Sequence, residues 1–127
     1  MKSIIRIEHV SGNGLWRAKD SCGRCVSDEF TFIDELRCKH YDFPTPFEDT
    51  NIDTSITFYN IKSDEFCAFK SVEQIQQWIE KEWFIEIIKH DFKILLIDVS
   101  ECIELKHQII YKKEHVLQVK NISNLFL

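Results

Sequence analysis

Three cysteines and one histidine in the first third of the chain have the residue types and spacing of zinc ligands. Cys22 and Cys25 form a C-x-x-C pair, and Cys38 and His40 follow as a C-x-H pair. Four thiolate or imidazole ligands bind zinc tetrahedrally. A C-x-H half is less common than a second C-x-x-C, so the sequence favours free thiols and no bound metal. A zinc-dependent interaction module stays open as an alternative.

The histidines offer no recognisable catalytic arrangement. Imidazole titrates near neutral pH and is a common general base, but none of the five histidines stands beside a nucleophile in a known local signature. No glycine-rich phosphate loop is present either. We therefore expect no catalytic residue and no cofactor, and the pattern favours a binding protein over an enzyme.

One wider order of residues resembles that of ADP-ribosyltransferases, which bind NAD. Arg6 lies in a first strand, Ser71 precedes a helix, and Gln108 begins a late strand. The resemblance implies an Arg–Ser–Glu order, and Gln108 stands where the catalytic glutamate would be. Its implication is a nucleotide- or NAD-binding protein with a degenerate active site, which we keep as a second alternative.

Composition and charge predict one globular domain over residues 1–127. The chain is 44% apolar and 13% aromatic and has a formal net charge of −5. Direct nucleic-acid binding needs a basic footprint, and the sequence has none. No apolar run approaches the ~20 residues that span a bilayer, and the N-terminus lacks the features of a secretory signal. We expect a cytoplasmic protein that contacts neither nucleic acid nor membrane.

The clearest element runs from a buried strand at Phe66–Phe69 into a capped helix. Ser71 occupies the N-cap position, and Gln74 follows at capping-box spacing. Apolar residues at Val72, Ile75, Trp78 and Ile79 then recur at helical spacing. A second short helix is predicted from Lys81 to His90.

Strands are predicted on both sides of these helices. The sequence predicts strands at 2–9, 15–18, 55–61, 92–99, 107–111 and 116–122, and a helix at 29–38. The segment 92–99 is apolar enough to be buried on both faces, which is typical of a central strand. Residues 112–115 are interpreted as the tip of a hairpin. The fold class is α+β: a mainly antiparallel sheet of about five to six strands with two or three short helices packed on it.

Several stretches resemble a family of small proteins encoded by phages and prophages. They are residues 6–9 with the Gly12/Gly14 turn and Trp16, residues 40–46 with Asp49, residues 65–74, and Gln108 with residues 111–116. The resemblance implies an accessory protein that binds and inhibits a host protein, such as a component of antiviral defence (counter-defence, anti-CRISPR-like). It implies no catalytic residues, and the oligomeric state stays open.

The surface predicted to bind the host protein combines the first strand with the proline-containing loop. Its residues are Arg6, Trp16, His40 and Asp49. Tryptophan and arginine are enriched at binding hot spots, and prolines in a long loop lower the entropy lost on binding.

Overall fold

The structure is a computed structural model that describes residues 1–10, 12 and 64–127. The strands are β1 (Lys2–His9), β2 (Glu65–Phe69), β3 (Phe92–Val99), β4 (Ile103–Glu104), β5 (Gln108–Lys112) and β6 (Val116–Asn121). The helices are α1 (Val72–Trp78) and α2 (Lys81–Lys89), with short 3-10 helices at Lys113–His115 and Ser123–Phe126. The elements predicted at 15–18, 29–38 and 55–61 lie outside the described residues.

The six strands form one sheet in the order β4-β5-β2-β1-β3-β6, and every pairing is antiparallel. The longest pairing joins β1 to β3 from Lys2↔Val99 to His9↔Phe92. Strand β3 is therefore internal, as its apolar sequence predicts. The α+β class with a mainly antiparallel sheet is confirmed.

Both helices pack on one face of the sheet, which we call the helix face. The core there joins strand, helix and C-terminal side chains, in the cluster Ile5, Ile7, Phe69, Ile75, Ile79, Phe84, Ile87, Phe92, Ile94, Ile122 and Phe126. Alternation along β1 sends Ile5 and Ile7 to this face and Ile4 and Arg6 to the other. Neither helix of the described residues has the length and apolarity to cross a membrane.

Helix α1 begins at the predicted cap. The Ser71 hydroxyl accepts a hydrogen bond of 3.1 Å from the backbone N–H of Gln74. The Gln74 side chain accepts one of 2.7 Å from the N–H of Lys70 and also donates to the carbonyl of His107. The cap thereby fixes the helix start and ties it to the residue before β5. Ile75 and Ile79 are buried as predicted, while Trp78 is half-buried and packs edge-on against Phe69.

The hairpin predicted between β5 and β6 is wrong. Strand β5 pairs with β2 and β4, whereas β6 pairs with β3, so three strands separate the two. In a flat sheet four strand spacings of about 4.8 Å separate them by roughly 19 Å. The four steps from Lys112 to Val116 reach at most about 14 Å. The sheet must therefore curl, which a pattern of local periodicity does not encode.

The curl produces a second core on the opposite face, which we call the concave face. Tyr111 and Ile109 of β5 cluster there with Leu95, Ile97 and Val99 of β3, and with Ile4 and Ala68. Strands that lie three positions apart in the sheet thus share one cluster. Strands β1 and β2 share a single register pair, Ile5↔Phe69.

Candidate functional site

The concave face leaves a groove of about 410 Å³ between β3, β6 and the end of β5. We call it the concave groove. Its lining residues are Glu8, Gly12, Phe66, Leu95, Ile97, Tyr111, Lys113, Val116 and Val119. They come from five strands, the 3-10 turn after β5 and the start of the segment that follows β1, so the curl of the sheet assembles them.

A β-bulge aligns the apolar side of the groove. Val116 pairs with Val99 and Gln118 with Asp98, so the register shifts at this point and Leu117 has no partner across the ladder. An extra residue in one strand reverses the face on which its later side chains lie. Val116 and Val119 consequently lie on the same face, and Val119 pairs with Ile97 on the floor of the groove.

Arg6 lies beneath one end of the groove and is 2% exposed. Its Nε lies 2.9 Å from Glu8 Oε1, its Nη1 donates to the carbonyl of Cys67 at 2.8 Å, and its Nη2 donates to the carbonyl of Gly12 at 3.2 Å. The guanidinium also lies 5.0 Å from the centre of the Phe66 ring. A buried guanidinium is stable when its donors are satisfied, and this one joins β1, β2 and Gly12, three residues beyond the end of β1.

Tyr111 forms a wall of the same groove. Its ring lies 5.7 Å from that of Phe66, and the residue is 5% exposed. Burial raises the pKa of Tyr111 to about 12, and the nearby Arg6 charge opposes that rise. The phenol is therefore protonated at neutral pH and is available as a hydrogen-bond donor.

The rim of the groove carries one uncompensated cation among the described residues, at Lys113. The neighbouring Lys112 Nζ lies 3.7 Å from Asp64 Oδ2. The Glu114 Oε1 lies 3.9 Å from His115 Nε2. Because Arg6 offsets Glu8, Lys113 adds a net positive charge among the described residues that line the groove.

Of the four residues predicted to bind a host protein, the structure describes Arg6 alone, and places it at the groove. Trp16, His40 and Asp49 lie outside the described residues. The predicted role of these four residues in binding stays a prediction. The groove residues that sequence reasoning missed include Tyr111 and Lys113. Alternation along β5 predicts that Tyr111 lies on the same face of the sheet as Ile109. The position of Tyr111 opposite β3 follows from the curl of the sheet, which local alternation does not predict.

The residues of the ADP-ribosyltransferase-like alternative lie in different parts of the fold. Gln108 pairs with Phe69, whose side chain lies on the helix face, whereas Arg6 lies on the concave face. Ser71 is engaged as the cap of α1. The structure does not bring these three side chains into one site.

The zinc alternative rests on residues that are not described. Cys22, Cys25, Cys38 and His40 all lie within 13–63. Within residues 1–10, 12 and 64–127, no three His, Cys, Asp or Glu side chains are grouped as metal ligands.

Comparison with known proteins identifies one family. Neither the curated proteins nor the solved structures gave a match. The family described as Bacteriophage T4 Y00F protein matches residues 1–124, which is nearly the whole chain. This agrees with the resemblance to phage-encoded proteins noted from the sequence. The chain belongs to the Bacteriophage T4 Y00F protein family.

Proposed function

We propose that this phage-family protein binds a host protein and inhibits it, as an accessory factor that acts against a host process such as antiviral defence. Membership of a phage protein family supports the setting. The observation that carries the proposal is the edge strand β6. Its apolar side chains are exposed beside the concave groove.

Strand β6 pairs with β3 on one side and has no other partner among the described strands. Five of its six residues, from Leu117 to Asn121, are exposed. Leu117 is 60% and Val119 52% exposed. An edge strand offers unpaired N–H and C=O groups to another strand, and exposed apolar side chains along it add affinity.

The partner that fits this edge is an extended segment of the host protein that adds to the sheet beside β6. In such strand addition, backbone hydrogen bonds give affinity and side-chain contacts give specificity. The proposed contacts also include Arg6, Trp16, His40 and Asp49. Arg6 is buried and acts indirectly, by hydrogen-bonding the backbone carbonyls of Cys67 and Gly12. The net charge of −5 favours a partner with a basic surface.

The test is capture of a host protein by tagged full-length chain from a bacterial lysate, followed by binding measurements with the purified candidate. Leu117→Asp and Val119→Asp each place a charge on the β6 edge, and we expect either to reduce affinity at least about tenfold, or about 1.4 kcal/mol. Leu125→Asp is the matched control, because Leu125 is 72% exposed and lies outside the sheet. It should leave affinity unchanged.

Two outcomes would overturn the proposal. One is equal loss of binding in all three variants, which would indicate nonspecific capture. The other is a wild-type dimer in light scattering that both β6 variants convert to monomer, which would assign the edge to a second copy of this chain. Asp49→Ala with unchanged affinity would remove Asp49 from the proposed contacts without affecting the β6 edge.

A further inference from the structure

We propose that the concave groove is a binding site for a small amphipathic carboxylate, a molecule with an apolar body and one carboxylate group. This goes beyond the proposed host-protein function, since it concerns a ligand held in the groove. Val119 belongs to both the groove and the β6 edge, whereas Tyr111 and Lys113 line the groove and lie outside β6. The inference rests on three features of the groove: its apolar floor, the Tyr111 hydroxyl and the Lys113 ammonium.

The floor suits an apolar ligand body. Leu95 and Ile97 of β3 form it together with Val116 and Val119 of β6. Ligand sites are concave, are lined mainly by apolar side chains and have volumes of about 300–1,000 Å³, and the groove of about 410 Å³ falls in this range. Val119 is half exposed within this concavity, so an occupant would remove apolar surface from water.

The hydroxyl of Tyr111 supplies a hydrogen bond that is not yet made. The residue is 5% exposed, and its ring packs against Phe66. Its hydroxyl makes no hydrogen bond with any residue in the described part of the chain. Burial and nearby charges shift the pKa of the phenol. The hydroxyl oxygen is not among the fully buried, unpaired polar atoms of the described residues, so it is accessible to an occupant of the groove. A ligand oxygen in the groove would accept from this hydroxyl.

The charge at the rim selects a carboxylate over a neutral acceptor. Glu8 and Arg6 form an ion pair of 2.9 Å and cancel within the groove. Lys113 adds a positive charge that no described carboxylate balances. Hydrogen bonds to a charged acceptor are about twice as strong as neutral ones. Tyr111 and Lys113 therefore form the polar end of the site, and the two valines form the apolar end.

The test compares octanoate with octan-1-ol, which has the same chain length without the charge, in titrations of the full chain followed by NMR chemical shifts. Octanoate should bind saturably and at least about tenfold tighter than octanol, which corresponds to about 1.4 kcal/mol. Tyr111→Phe and Lys113→Gln should each weaken octanoate binding severalfold, and Lys113→Gln should leave octanol binding unchanged. Val119→Glu should abolish binding of both probes.

Two control variants locate the effect. Lys120→Gln removes an exposed lysine of β6 that does not line the groove, and it should bind octanoate as the wild type does. Leu125→Glu alters a second groove, lined by Phe84, Leu125 and Leu127 among others, and should also have no effect.

The proposal is overturned if neither probe binds, if octanol binds as tightly as octanoate, or if Leu125→Glu rather than Val119→Glu abolishes binding. Host-protein capture that survives Tyr111→Phe and Lys113→Gln would show that the two proposed activities are separate. Their failures are thus distinguishable.

Discussion

The two faces of the sheet are stabilised by different means. The helix face is a continuous apolar core in which helix, strand and C-terminal side chains interlock. The concave face has a smaller apolar cluster and buries the Arg6 guanidinium beside Glu8 and Tyr111. Among the described residues no helix packs on this face, and a groove stays open at its edge.

This difference shows where the molecule has room for binding. The hydrophobic driving force is non-directional. Close-packed apolar side chains leave little space between them for a ligand. A buried cation, in contrast, requires hydrogen-bond acceptors at fixed positions, and Arg6 obtains two of them from the backbones of Cys67 and Gly12. The helix face thus holds the larger apolar core, while the concave face holds backbone and side chains in the arrangement that forms the groove.

The largest effect is expected on the helix face, from Phe84→Ala. Phe84 is 3% exposed, and its ring lies 4.7 Å from that of Phe126. Removing a buried phenylalanine side chain leaves a cavity, and we expect a loss of about 3–5 kcal/mol in the free energy of unfolding. Chemical denaturation measures it. Ile85→Ala is the matched control, because Ile85 is adjacent and 45% exposed; equal losses in both variants would contradict the assignment of the helix face.

On the concave face, Arg6→Leu should cost about 2–3 kcal/mol of unfolding free energy, because it leaves two backbone carbonyls and Glu8 without their partner. The apolar replacement keeps much of the side-chain volume, so the loss reports hydrogen bonding more than packing. Arg6→Lys should recover part of the loss, since it restores the charge without the forked geometry. A variant Arg6→Leu as stable as the wild type would show that the buried ion pair contributes no net stability.

A smaller effect is expected from the cap of α1. Ser71→Ala should lower the unfolding free energy by about 1 kcal/mol, because the N–H of Gln74 loses its acceptor. Ser71→Asp keeps an acceptor at the N-cap and should restore the stability. Equal denaturation midpoints for the alanine and aspartate variants would show that the cap does not contribute.

The smallest effect concerns a surface ion pair at the β4 edge. A hydrogen bond from Lys2 lowers the pKa of Glu104 below its ordinary 4.5. The folded state thus favours the carboxylate, so this stability is present above pH 4.5 and is lost as pH falls through the lowered pKa of the folded state. Both side chains are largely exposed, and we expect less than about 1 kcal/mol.

Thermal denaturation as a function of pH tests this, with Lys2→Met as the variant that removes the partner. The difference in melting temperature between wild type and Lys2→Met should shrink between pH 6 and pH 3. A difference that stays constant over this range would show that the pair is not responsible for it.

Local patterns predicted the elements well where a physical signal is contained in a few neighbouring residues. The capping box at Ser71 and Gln74 specified the start of α1, because its hydrogen bonds join residues three apart. The apolar run of 92–99 specified an internal strand, because a strand buried on both faces carries apolar residues without the alternation of apolar and polar residues seen in a half-exposed strand. The strands at 107–111 and 116–122 were located to within a residue at each end.

The partners of those strands were decided by tertiary structure. The short connection at residues 112–115 predicted a hairpin of β5 and β6. In the structure it joins two strands that pair with different neighbours, β5 with β2 and β6 with β3. Curl depends on the summed twist of all strands, which no short segment contains. Within the described residues, the sequence by itself therefore determined five of the six strands and both helices, but not the short strand β4 or the bulge in β6. Only the tertiary structure brought Tyr111 opposite β3, buried Arg6 beneath it and opened the groove, since these depend on contacts between residues distant along the chain.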